Sequence, residues 1–161
     1  MAIVFLSKNV RDIGFIGEKR TMSKLVHFKE HLDKKLGAVN ENFISISEQR
    51  MEQGGYEAME ELFKKETVPR GIICAYDCMA IGAMKCIFDH GLSVPKDIAI
   101  IGMNNNRESA FLNPSLSSID LCPEQAGRVM SLAVINKIMG IEENEEIILT
   151  PKLILRQSSE I

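Results

Sequence analysis

The chain has 161 residues, 45% hydrophobic and 25% charged, the composition of a folded globular domain and not of a disordered chain. Nineteen Lys and Arg against 22 Asp and Glu leave a net charge of -3, so no overall positive field draws the chain to nucleic acid. No apolar run reaches the ~20 residues that a bilayer span needs, and the opening MAIVFLSKNVRD has no basic region before its short apolar stretch, so the chain reads as cytosolic.

In chain order, Asp12 to Gly17 is a short apolar run closed by glycine and reads as a buried strand. From Ser23 to Leu36, Leu25, Phe28, Leu32 and Leu36 recur at helical steps, with Ser23 as N-cap and Gly37 as the stop. Phe43 to Ile46 alternates as a strand, and a second amphipathic helix runs from about Glu52 to Lys65, halted by Val68-Pro69. Gly71 to Ala75 has no polar face, as in a parallel strand covered on both sides. A helix from Cys78 to His90 follows, with Asp77 as its cap, and then another apolar strand, Ile98 to Gly102. Leu116 to Leu121 is a strand, Pro123 opens a helix to Met139, the acidic run from Glu142 to Glu146 is a solvated loop, and Lys152 to Arg156 is a last strand. Strands alternating with helices of about a dozen residues predict an α/β fold, a doubly wound parallel sheet with helices on both faces.

In such a sheet ligands bind beyond the carboxyl ends of the strands. That rule selects Glu18 to Lys24, Tyr76-Asp77 and Met103 to Asn106, and within them Lys24, Tyr76, Asp77, Asn104 and Asn105 as ligand-binding candidates. An aromatic ring and several hydrogen-bonding groups suit a polyhydroxy ligand. The competing reading makes Asp77 a cap, Tyr76 a rim residue and the asparagines a turn.

His27-Phe28-Lys29-Glu30-His31 matches the H-x-x-E-H string of inverted zinc peptidases. Against that reading, both rings fall on the solvated side of the helix with Lys29 and Lys34, while Leu25, Phe28 and Leu32 face the core. Cys74, Cys78, Cys86 and Cys122 show no C-x-x-C pairing and read as small buried hydrophobes, and the nine methionines as core filling. No phosphate-cradling glycine loop or G-x-S-x-G elbow is present. The expectation is a non-enzymatic chain with no catalytic residue, no cofactor and no metal.

From Ile72 to Met84 the sequence resembles the LacI/GalR family's apolar strand, Asn/Asp, Met-Ala and small-residue helix. His90 to Gly102 is similar to its G-L-x-V-P-x-D-I-S-I-I-G segment, Asn113 to Ile119 to its P-P-L-T-T-I, Pro123 to Gly127 to its P-x-E-x-G, and Leu155 to Ser159 to its closing x-R-x-S-T. These blocks are collinear from about Asp12 to Ser159.

The resemblance implies a periplasmic-binding-protein-like sensor that closes two lobes on a small sugar and dimerises, read as a truncated piece without helix-turn-helix headpiece and first lobe. It implies that residues 1–10 end a crossover helix, which turns Ile3 to Leu6 from strand to helix. Residues 11–115 form the C-terminal effector-binding lobe, 116–140 a strand and helix of the first lobe, and 141–161 the return. Lys24 falls where the family usually has an effector-clamping Arg, Asp77 on its acidic position, Asn104 where many members carry Asp, and Tyr76 where Asn is frequent. A homodimer contact is implied at Ile81, Met84, Lys85, Phe111 and Leu112. Operator DNA would be reached only through the headpiece; the alternative is a stand-alone sugar-binding protein.

Overall fold

A computed structural model describes residues 2–141 and 146–161. The elements are α1 (Ala2–Ser7), β1 (Ile13–Glu18), α2 (Met22–Leu36), β2 (Ile44–Ser47), α3 (Met51–Phe63), β3 (Gly71–Cys74), α4 (Asp77–Asp89), β4 (Ala99–Met103), β5 (Ser117–Asp120), α5 (Pro123–Ile138) and β6 (Lys152–Ile154). The acidic run expected as a solvated loop lies, except for exposed Glu146, outside the described residues.

The strands form one six-stranded sheet in the order β2-β1-β3-β4-β5-β6. The first five are parallel, and β6 runs antiparallel to β5. From β1 the chain steps outward to β2 and then returns past β1 to β3 and β4. Right-handed crossovers therefore place α2 on one face of the sheet and α3 and α4 on the other. Every residue of β1, β3 and β4 is buried, which explains their apolar runs without a polar face.

Ile16, Ile72, Ile100, Leu62 and Met79 have essentially no exposed surface. At ~1.5–3 kcal/mol for each fully buried large apolar side chain, this layer is what the fold rests on. The α3–α4 contact depends on glycine: a Cβ on Gly55 would overlap the Met79 carbonyl, and one on Gly82 the Glu52 carbonyl. Two helices approach this closely only where side chains are absent.

The start of α2 departs from expectation. Thr21, not Ser23, is its N-cap residue, and its side chain makes no capping bond. The reason lies one turn earlier, where a short 3-10 turn over Lys19–Thr21 carries a capping box. The Glu18 carboxylate accepts from Arg20 N–H at 2.8 Å, and the Thr21 hydroxyl accepts from Glu18 N–H at 2.9 Å. The C-terminal reading holds, because Gly37 sits at φ 87 and donates its N–H to Asp33.

β5 hydrogen-bonds to β4 with Ile101 opposite Ser117 and so is part of this sheet, whatever covers the helix behind it. By contrast α5 has no buried residue, and Met130, Val134 and Ile138 on it are 67%, 59% and 80% exposed. Ala2–Ser7 is helical, as the family resemblance rather than its composition implied. No helix among the described residues is long and apolar enough to cross a membrane.

Candidate functional site

The connection reverses direction at β1, since β2 lies on one side of it and β3 on the other. In an open parallel sheet that switch point leaves a crevice at the carboxyl ends of the two central strands. β1 ends at Glu18, and β3 is followed by Ala75 and Tyr76.

Lys24, in the first turns of α2, bridges the two strand ends. Its Nζ donates to the Ala75 carbonyl at 2.8 Å and lies 4.1 Å from the centre of the Tyr76 ring. Burial pushes its ammonium below the ordinary lysine value, with Cys78 and Glu18 pulling the other way. Beside it a crevice of about 320 Å³ opens between α2 and the sheet, lined by Phe15, Ile73, Met103, Lys24 and His31. That volume is within the ~300–1,000 Å³ of small-molecule sites. Its walls are apolar, with Phe15 and Phe28 packed ring to ring at 5.3 Å.

Asn104 follows β4 at φ 109, a backbone conformation that Asn tolerates better than most residues. Its N–H donates to the Ile119 carbonyl at 2.8 Å, and its side-chain amide makes no hydrogen bond among the described residues. Lys24, Tyr76 and Asn104 thus follow the carboxyl ends of the neighbouring strands β1, β3 and β4.

Asp77 and Asn105 do not join them as free ligand groups. Asp77 is fully buried and is the first residue of α4, not its cap; the N-cap is Tyr76. Its Oδ2 accepts from Asn106 N–H at 2.6 Å and from the Ser109 hydroxyl at 3.0 Å, and its Oδ1 accepts from the Ser118 hydroxyl at 2.6 Å. The carboxylate is spent on holding the loop after β4 against β5. Asn105 is tied down likewise: its Nδ2 donates to Asp120 at 3.3 Å and its Oδ1 accepts from Arg156 at 2.7 Å.

Two further groups, Glu18 at the end of β1 and His31 in the crevice wall, were not among the ligand-binding candidates of the sequence reading. Glu18 is 3% exposed, and among the described residues its Oε1 has no hydrogen bond but an ion pair with Arg50 Nε at 3.7 Å. His31, expected on the solvated side, is half-buried, and its Nε2 is buried without a partner among the described residues. Neither was legible from spacing, because what matters is the cover that the sheet supplies. His27 is exposed, with Nδ1 3.4 Å from Glu30, and it borders the same crevice as His31.

Of the residues assigned to a subunit contact, Phe111 is 78% exposed, Lys85 exposed, and Ile81 and Leu112 half-buried. Met84 is 3% exposed, held in the core, and has no surface to offer a partner, which corrects that assignment.

A doubly wound sheet with a ligand-sized crevice at its switch point is the architecture of an α/β domain suited to binding a small molecule. Comparison with known proteins makes this specific. A family model described as a periplasmic binding protein-like domain matches residues 4–159. The chain is 30% identical over 155 residues to the HTH-type transcriptional repressor PurR of Pasteurella multocida (strain Pm70), covering 92% of this chain and 46% of that protein. To the PurR of Glaesserella parasuis serovar 5 (strain SH0165) it is 34% identical over 102 residues, 63% of this chain and 30% of the relative. Among solved structures, the transcription regulator GntR from Chromobacterium violaceum superposes with a TM-score of 0.90 at 27% identity, over 99% of this chain and 61% of that one. The chain belongs to the periplasmic-binding-protein-like family, as the effector-binding region of a LacI/GalR-type regulator. It spans less than half the length of these curated relatives.

Proposed function

We propose that this chain is the ligand-sensing lobe of a cytoplasmic transcriptional repressor that closes with a first lobe on a small, neutral, sugar-like effector. Closure then alters the operator affinity of a helix-turn-helix headpiece. The observation that carries the reading is the placement of Lys24 on the Ala75 carbonyl and over the Tyr76 ring, at the switch point and beside a crevice. Lys24, Tyr76 and Asn104 supply an ammonium, an aromatic face and a free amide, a set that grips hydroxyls and the apolar face of a sugar ring. The chain itself performs no reaction in this scheme.

The exposed apolar side of α5 supports the assignment of that helix to the first lobe, which would cover Val134 and Ile138. A second copy of the chain would meet exposed Phe111 and Lys85 and half-buried Ile81 and Leu112.

Operator binding by the full-length protein tests the reading. A duplex from upstream of its own operon should be bound, and a panel sugar should shift that affinity by at least about fivefold, the lower end of allosteric coupling. Sugar binding without any duplex binding would favour the second reading, a stand-alone sugar-binding protein.

A further inference from the structure

Away from the crevice, the last turns of α3 and α4 bring together three different donor atoms. Cys86 Sγ lies 3.5 Å from Glu60 Oε1 and 3.9 Å from His90 Nδ1, and that nitrogen lies 3.7 Å from the same Glu60 oxygen. Among the described residues these three form the group spaced to share one cation. We propose that Glu60, Cys86 and His90 form a binding site for one zinc-class divalent cation.

The geometry is the first argument. With bonds of ~2.0–2.1 Å to nitrogen and oxygen and ~2.3 Å to sulfur, a tetrahedral cation sets its donors about 3.3–3.6 Å apart. The three observed separations lie within a few tenths of an ångström of that range, so small side-chain rotations complete it. Donor chemistry is the second argument, since a thiolate, an imidazole and a carboxylate together suit a borderline-soft ion and not magnesium or calcium.

Preorganisation is the third. The His90 ring stacks on Phe63 with centroids 4.3 Å apart and planes 22° from parallel, which fixes the direction of its nitrogens. Cys86 has no exposed surface, whereas the His90 and Glu60 side chains are 37% and 34% exposed. The cation would therefore rest on a buried sulfur with its fourth position open to water. Both helices end here, and helix C-termini favour positive charge.

The proton balance is explicit. Without metal, His90 Nδ1–H is placed to donate to the Cys86 carbonyl at 3.0 Å. Metal binding moves that proton to Nε2, and the carbonyl keeps the His90 backbone N–H at 3.1 Å as its donor. The Cys86 thiol gives up its proton to solvent, one proton per cation bound, and the new sulfur–metal bond takes its place. The sequence reading looked for metal at His27 to His31; the donor set that the fold assembles is elsewhere, from residues 26 and 30 apart in the chain or a single turn apart, which no local motif shows.

Cobalt titration of chelator-stripped, reduced full-length protein reads this site directly. The expected result is one cobalt per chain, with an intense tetrahedral visible band and a near-ultraviolet thiolate-to-cobalt charge-transfer band. Cys86→Ser should abolish the charge-transfer band, and Cys122→Ser should leave it. His90→Gln, at a partly exposed position that does not threaten folding, should weaken cobalt binding by at least about tenfold, as losses even around a metal's ligands do. Zinc should raise the melting temperature of the parent and of Cys122→Ser but not of His90→Gln. No charge-transfer band in the parent, or the same spectrum in Cys86→Ser and the same affinity in a natively folded His90→Gln, would overturn the proposal.

Discussion

The Oδ1 oxygen of Asp77 accepts a 2.6 Å hydrogen bond from the Ser118 hydroxyl, tying the first turn of α4 to β5 across 41 residues of chain. With Asn106 N–H and Ser109 on its other oxygen, this fully buried carboxylate fixes the loop that carries Asn104. Asp77→Ala leaves two buried hydroxyls and the part-buried Asn106 N–H without their acceptor, at ~1–3 kcal/mol for each buried group stranded. Urea unfolding should show a loss of about 3 kcal/mol or more. An Asp77→Ala variant as stable as the parent would mean that the loop is held by something else.

The same residue marks the limit of the sequence. Asp77 after an apolar strand reads equally well as a cap or a ligand, because both roles use a short carboxylate at a helix start. Its real partners, Ser109 and Ser118, lie 32 and 41 residues away and become neighbours only when β4 and β5 pair. The strands themselves were legible because β1, β3 and β4 are buried on both faces and so apolar throughout except for Glu18 at the end of β1. Lys24 and Tyr76 were legible by position, since the switch-point rule needs only element order. Met84 was placed at the contact by the family resemblance, which marks a stretch of α4 but not which of its side chains the core covers.

Gly82 faces the Glu52 carbonyl across the α3–α4 contact, and an added methyl has no room there. Gly82→Ala should lower stability by at least ~3 kcal/mol, the upper part of the overpacking range, because backbone and not a flexible side chain must move. Thermal melting is the check. Gly127→Ala in exposed α5, where a Cβ meets nothing, should be neutral or slightly stabilising.

Thiol accessibility follows from burial. Cys74 and Cys86 have no exposed surface, and burial raises both thiols, Cys86 to about 12. A folded-state value above the unfolded one means that their stabilising contribution is complete below about 9 and is lost as pH climbs toward 12. Under native, metal-free conditions at neutral pH a disulfide reagent should label half-buried Cys122 first and leave Cys74 and Cys86 unmodified until unfolding. Fast labelling of Cys86 would contradict its placement.

For the proposed subunit contact, an Ile81→Glu, Leu112→Glu double variant of the full-length protein should run as a monomer in light scattering where the parent runs as a dimer. Charges forced into an apolar contact are costly to desolvate. A parent that is monomeric at high concentration would remove Phe111 and its neighbours from any such role.

Calorimetry on the full-length protein against mono- and disaccharides tests the central claim most directly. A panel sugar should bind, and Lys24→Ala and Asn104→Ala should each weaken it by roughly tenfold or more, corresponding to a lost hydrogen bond of ~1.5 kcal/mol or more, without lowering the melting temperature much. Tyr76→Ala should weaken binding as well, by removing the ring that Lys24 now covers. A sugar that binds the parent and all three variants with equal affinity would contradict the placement of the effector at this strand edge.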